Sequence, residues 1–315
     1  MSRRGRQRRK GWNAIGNRMS KVIIVTGAAN SIGRTTCRQL MQAGHTVYVS
    51  SREMSGPIAQ GIEEAGSNPG QPGPDLRTIE FDVSSESSVT SAVETIIAEN
   101  SRLDVVVHNA RQVVYGPAEA FTPEQLAELY DTNVLIAQRL NRAALPQLRK
   151  QGQGLLIWIT SSSARGSSVP FLGACASTEA ALDSLALSYA GELARWGVET
   201  TIIVPSALGP GHYVRSGRPQ DTVRAEEYAD GPTADVSEIA LAGLAQLSPK
   251  DTCPQDVAST VANVVNMPFG QRPLKVHFSP DDDGAAAVDA VADRARTELF
   301  RRIGLEDLLK PVLIR

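Results

Sequence analysis

Cysteine is scarce in this chain: Cys37, Cys175 and Cys253 stand far apart in 315 residues, with no C-x-x-C pair. An odd, scattered set argues against a disulfide framework and a cysteine-built zinc site, and fits a reducing, cytoplasmic setting. Long apolar runs are also lacking. Val22–Val25 and Leu155–Ile159 are strand-sized, far below the roughly 18 residues of a membrane span, so no membrane role is expected. Acid is missing from residues 1–19, which carry seven basic residues and read as a disordered extension or as sequence upstream of an initiator at Met19. No apolar segment follows them, so they are not a secretory signal. Without those seven, 25 basic residues face 34 acidic ones, a net charge of −9. Nucleic acid is therefore not expected as a partner beyond the tail itself.

What is present is a regular alternation. Strand-like runs occur at Lys21–Thr26, Thr46–Ser51, Leu76–Phe81, Leu103–Val107, Leu155–Thr160, Glu199–Val204 and Leu274–Phe278. Helical patterns lie near 32–42, 85–99, 123–149, 174–195 and 234–266. Near-continuous apolar strands alternating with helices predict a doubly wound, parallel α/β sheet of Rossmann type, covered on both faces. Residues 20–315 are expected to form one domain. It would carry a surface loop at Gly66–Pro74, a polar lid at about 206–232 and a C-terminal helical extension at about 284–310.

Thr26-Gly27-Ala28-Ala29-Asn30-Ser31-Ile32-Gly33 follows the first strand and opens a helix. Gly27 allows a tight turn and Gly33 a close helix–strand contact, while the helix N-terminus offers N–H groups to a pyrophosphate. In this setting the segment resembles the short-chain dehydrogenase/reductase family, whose loop reads T-G-x-x-x-G-x-G, with Ser31 replacing the middle glycine. The resemblance spans roughly residues 20–280 and implies a nicotinamide cofactor on Thr26, Gly27, Asn30, Ser31, Ile32 and Gly33. Ser51 takes the position of the acid that reads the ribose of NAD. Arg52 stands where NADP-preferring members keep an arginine, and a guanidinium suits a 2′-phosphate, so NADP is expected over NAD. Asp82 and Val83 match the acid–apolar pair at the adenine; as an alternative, Asp82 caps the following helix. Asn109 and Ala110 match the family's N-N-A-G, which here reads His108-Asn109-Ala110-Arg111. Pro205 opens the segment that contacts the nicotinamide amide, although Ser206 and Gly209 replace that segment's glycine and threonine.

The same resemblance assigns a substrate-orienting role to Ser162 and a water-anchoring role to Asn133, which otherwise reads as a buried polar side chain satisfied by backbone. The family's proton-transfer pair is Tyr-x-x-x-Lys; its positions hold Cys175 and Glu179. None of the six tyrosines has a lysine four residues on, and none of the six lysines falls in this helix, so the motif is absent, not displaced. A phenol is lowered toward neutrality by a neighbouring lysine. A thiol beside a carboxylate is pushed the other way, making Cys175 a poor nucleophile.

The resemblance thus implies an oxidoreductase framework for a carbonyl or hydroxyl on a small molecule, assembled as a homodimer or homotetramer through its two long helices. Five departures on one crevice (Ser31, Arg111, Cys175, Glu179 and Gly209) imply that its usual redox chemistry is lost. Three readings follow: a divergent enzyme with Glu179 as a base, a silent binding or scaffolding protein with or without cofactor, or an NADP-dependent reductase using His212, Tyr213 or Tyr115 as acid.

Overall fold

The computed structural model describes residues 20–50, 76–165, 169–205, 217–247, 253–278 and 284–313. Their strands are β1 (Val22–Val25), β2 (Thr46–Ser50), β3 (Leu76–Ile79), β4 (Val105–His108), β5 (Gly154–Ile159), β6 (Val198–Pro205) and β7 (Lys275–Phe278). All pair in parallel, in one sheet ordered β3-β2-β1-β4-β5-β6-β7. The chain winds outward from β1 to β3 and then returns to β4 on the other side of β1. That reversal opens a crevice at the C-terminal ends of β1 and β4, where doubly wound folds hold ligands.

Alternation along the strands builds a core on each face. Ile24, Val106, Leu156 and Ile202 point one way. They meet α2 (Glu86–Asn100) through Val93 and Ile96, α4 (Ile136–Gln151) through Leu140 and Leu148, and α5 (Gly173–Glu192) through Leu182 and Ala186. Ile23, Val105, Val107 and Ile157 point the other way, onto α1 (Ser31–Gln42) and α8 (Pro254–Asn266). With side chains demanded on both faces, these strands read as unbroken apolar runs rather than as alternating ones.

Several boundaries differ from the sequence expectation. The pattern at 123–149 is α3 (Pro123–Tyr130), a π-turn at Asp131–Leu135 and then α4. The pattern at 234–266 is two helices, α7 (Val236–Leu247) and α8. Pro254 occupies the first turn of α8, where its missing N–H costs nothing, and Asp256 accepts from the Cys253 N–H at 3.0 Å. Of the expected lid, residues 217–232 are described and include an unforeseen helix, α6 (Thr222–Asp230). Its N-cap, Asp221, accepts from the Arg224 N–H. The expected C-terminal helix is α9 (Ala285–Arg302). The Gly66–Pro74 loop and the basic tail lie outside the described residues.

Candidate active site

The turn from β1 into α1 is built as the spacing predicts. Gly27 has φ +72°, and a Cβ there would sit 2.7 Å from the Ala110 backbone. A Cβ on Gly33 would come within 2.1 Å of the Gly27 carbonyl. Asn30 caps α1 by accepting from the Gly33 N–H at 2.8 Å. Asn109 fastens the turn from the β4 side, donating to the carbonyls of Thr26 (3.1 Å) and Gly27 (2.9 Å). The Thr26 hydroxyl accepts from the N–H groups of Asn109 and Ala110, both at 3.2 Å. The exposed Ser31 and the buried Ile32 begin the helix, so the cradle presents the positive end of α1 to an anion.

Asp82 accepts from the Ser84 N–H at 2.9 Å and its hydroxyl at 2.6 Å. The cap of α2 is Ser85, not Asp82, because Ser85 accepts from the Ser88 N–H. Val83 packs against the core beside α2. Pro205 ends β6 opposite Phe278. Ser51, Arg52, Ser206, Gly209, His212 and Tyr213 fall outside the described residues.

At the other end of the crevice, two anomalies of the sequence turn out to be partners. The Arg111 guanidinium lies 3.1 Å from Glu179 Oε1, with side-chain exposures of 15% and 4%. Arg111 also donates to the carbonyls of Ile159 and Thr160, at the end of β5. The guanidinium and the carboxylate cancel, and the site remains locally neutral. Glu179 Oε2 is buried without a hydrogen-bond partner among the described residues. Burial pushes the Glu179 carboxyl up, against the pull of Arg111 and then Arg165.

Cys175 faces a small apolar cluster of Val114, Phe121 and Leu129. Burial, and then the charge of Glu179, push its thiol up to about 11, against the pull of Arg111. Asn133, on the π-turn, is fully engaged. Its oxygen accepts from the Gln112 N–H at 2.7 Å, and its amide donates to the Gln112 carbonyl and the Thr178 hydroxyl, each at 3.0 Å. It ties the loop after β4 to α5. Ser162 begins a short 3-10 turn packed on α5, and its hydroxyl makes no hydrogen bond to a described residue. Ser161 and Ser163 bond to one another instead, at 2.9 Å.

His108 is a packed strand-end residue: Nε2 is 2.8 Å from Asn141 Oδ1, and the ring lies 4.3 Å from that of Trp158. Burial lowers it to about 4 despite the Asn141 contact, so it is a neutral imidazole. The Tyr115 hydroxyl donates to the Ser237 carbonyl, toward α7.

One cluster has no counterpart in the sequence expectations. Arg165, just beyond Ser162, is buried and ion-paired with both Asp183 on α5 and Asp289 on α9. Asp289 also meets Lys275 at 2.5 Å and His277 Nε2 at 3.1 Å, both on β7. Burial works against the Asp289 carboxylate, but hydrogen bonds from Lys275 and Arg165 hold it below the usual range. The sequence shows only an arginine three residues after Ser162; its burial and its partners, far along the chain, cannot be read from it.

The family model for short chain dehydrogenases matches residues 21–217, which include the cradle, the Arg111 loop and α5. The chain belongs to the short-chain dehydrogenase/reductase family. A curated relative within it, 3-ketodihydrosphingosine reductase of Bacteroides thetaiotaomicron, is 28% identical over 210 residues, covering 67% of this chain and 72% of its own. The fold matches a short-chain dehydrogenase from Streptomyces avermitilis with TM-score 0.70, 24% identity and coverage of 90% of this chain and 97% of that one. A metagenomic short-chain oxidoreductase in complex with NADP matches at TM-score 0.60 and 20% identity, over 82% and 97% of the two chains. Among the described residues, no helix is long and apolar enough to cross a membrane.

Proposed function

We propose that this short-chain dehydrogenase/reductase family member binds NADP(H) through the adenosine half of the crevice and does not reduce a carbonyl by the family's tyrosine–lysine route. The observation that carries the proposal is the buried Arg111–Glu179 pair. It replaces the lysine that would lower a phenol, and Cys175 supplies no acid near neutrality. The cradle of Thr26, Gly27, Asn30, Ser31, Ile32 and Gly33 fits a pyrophosphate, with Asp82 and Val83 available to the adenine and Arg52 to a 2′-phosphate. At the nicotinamide end, the Arg111–Glu179 pair and the raised Cys175 thiol do not fit that half of the cofactor. Ser162, with an uncommitted hydroxyl, supports binding of a small molecule beside the pair. Assembly as a homodimer or homotetramer through α4 and α5, in the cytoplasm, completes the proposal; the outer face of α5 exposes Ser177, Ala180 and Ser184.

Calorimetric titration tests it. NADPH and adenosine 2′,5′-bisphosphate should bind within about threefold of one another, a difference below about 1 kcal/mol, and NADH more weakly. Sustained carbonyl reduction with NADPH would overturn the proposal. A second reading, proton abstraction by Glu179, is favoured by its unpartnered Oε2. Exchange of an acidic substrate proton with deuterated solvent, abolished by Glu179→Gln, would establish it.

A further inference from the structure

Between α6, the start of α7 and the loops that follow β4 and β5 lies a cavity of about 380 Å³. Arg111, Ser162, Cys175 and Glu179 do not line it. Its walls are aromatic. The Tyr115 and Phe171 rings lie 5.9 Å apart, and Tyr228 meets Phe171 edge-on at 6.4 Å. Each wall is held before any ligand arrives. Tyr115 is fixed by bonds to and from Ser237, and the Tyr228 hydroxyl donates to Glu119 at 3.0 Å. Phe171 is held at φ +68°, a region costly to a bulky side chain, while its carbonyl accepts from the Gly116 N–H at 2.9 Å. Such strain persists only where the surroundings impose it, and it gathers at ligand clamps.

The rim supplies one cation. Arg218 lies with its guanidinium 5.8 Å from the centroid of the Tyr115 ring, exposed, and makes no ion pair with a described residue. The neighbouring Arg224, by contrast, is paired with both Glu119 and Asp221. A planar fork above an apolar, aromatic-walled cavity suits a carboxylate approached edge-on. A doubly charged phosphate suits it less, because Glu226 shares the lining and no second cation does.

We infer that this cavity binds a flat apolar ring bearing one carboxylate, with the ring among Tyr115, Phe171 and Tyr228 and the carboxylate on Arg218. The site is distinct from the Arg111–Glu179 crevice, and its occupancy does not depend on nucleotide.

The test is calorimetric titration of the full chain, without nucleotide, using 2-naphthoate and its uncharged analogue 2-naphthamide. Naphthoate should bind saturably and the amide at least about tenfold more weakly, as loss of a charge-assisted contact requires. Arg218→Gln should bring the two ligands within about twofold, because only the charge-assisted contact separates them. Phe171→Gly should abolish binding of both while the melting temperature stays level or rises, since glycine takes this φ without strain. Equal binding of acid and amide to the unmodified chain, a preference that survives Arg218→Gln, or no saturable binding of either ligand would overturn the inference. Repeating the titration with NADPH present separates this outcome from that of the cofactor proposal, since either site can fail alone.

Discussion

Arg111, on the loop leaving β4, and Glu179, on α5, meet at 3.1 Å inside the crevice. Either residue alone would place a buried charge among apolar neighbours. Together they cancel, and Arg111 spends its remaining donors on carbonyls at the end of β5. A carboxylate carried by α5 is thus answered by a cation from the loop after β4.

Breaking this pair from one side should be costly. Glu179→Leu, which strands Arg111, is expected to destabilise the protein by roughly 3–5 kcal/mol in urea unfolding. Arg111→Met combined with Glu179→Leu should cost less than Glu179→Leu alone, because an apolar pair of similar volume avoids the desolvation penalty. A double variant less stable than that single variant would contradict this expectation, and Arg111→Met alone completes the cycle that measures the coupling.

Cys175 should be nearly inert to alkylation. With its thiol raised to about 11, only about one molecule in a thousand is thiolate at pH 8. Iodoacetamide treatment of the native protein followed by peptide mass spectrometry should label the exposed Cys253 and leave Cys175 unmodified until denaturant is added.

His108 should make the fold acid-sensitive. It titrates near 4 when folded, whereas an unfolded imidazole takes its proton at about 6.5. The unfolded chain therefore binds more protons between those values. The contribution is fully present above the unfolded pKa and is lost as pH falls toward 4, about 3 kcal/mol in all. Denaturation midpoints measured from pH 7 to 4 should fall steeply in the native chain and less steeply in His108→Asn.

Asn109 should matter more than its size suggests. Asn109→Ala removes the donors to Thr26 and Gly27 from a buried position, for a loss of roughly 2–3 kcal/mol. Affinity for adenosine 2′,5′-bisphosphate should drop in parallel, read by calorimetry at a temperature where the variant stays folded.

Much of this architecture is legible in the sequence. The strands are visible because burial on both faces leaves no room for polar residues between Val22 and Val25 or between Leu155 and Ile159. The β1–α1 cradle is visible because its glycines sit where contacts of 2.1 and 2.7 Å exclude a Cβ. The break between α7 and α8 has a local sign in Pro254. The π-turn under Asn133 has none, since one slightly wider helical turn barely disturbs apolar periodicity. The ion pair at the site is hidden for a different reason. Arg111 and Glu179 each look like damage when considered alone, and only the parallel pairing of β4 with β5 brings the loop beside the helix. The Asp289 hub is similarly invisible, because its three partners come from two distant segments.

That hub also sets an order of events during synthesis. Arg165 takes its position at the rim of the site from a carboxylate 124 residues further along the chain. The β1–β6 region can form while translation continues, as domains do from their N-terminal side. Arg165 at its edge, however, meets Asp183 at once and has to wait for α9 to leave the ribosome before it gains its second carboxylate. A nascent chain stalled before Asp289 should hold a nearly complete sheet in which Arg165 is paired with Asp183 alone, so a segment made late supplies the second carboxylate to a cluster that begins early.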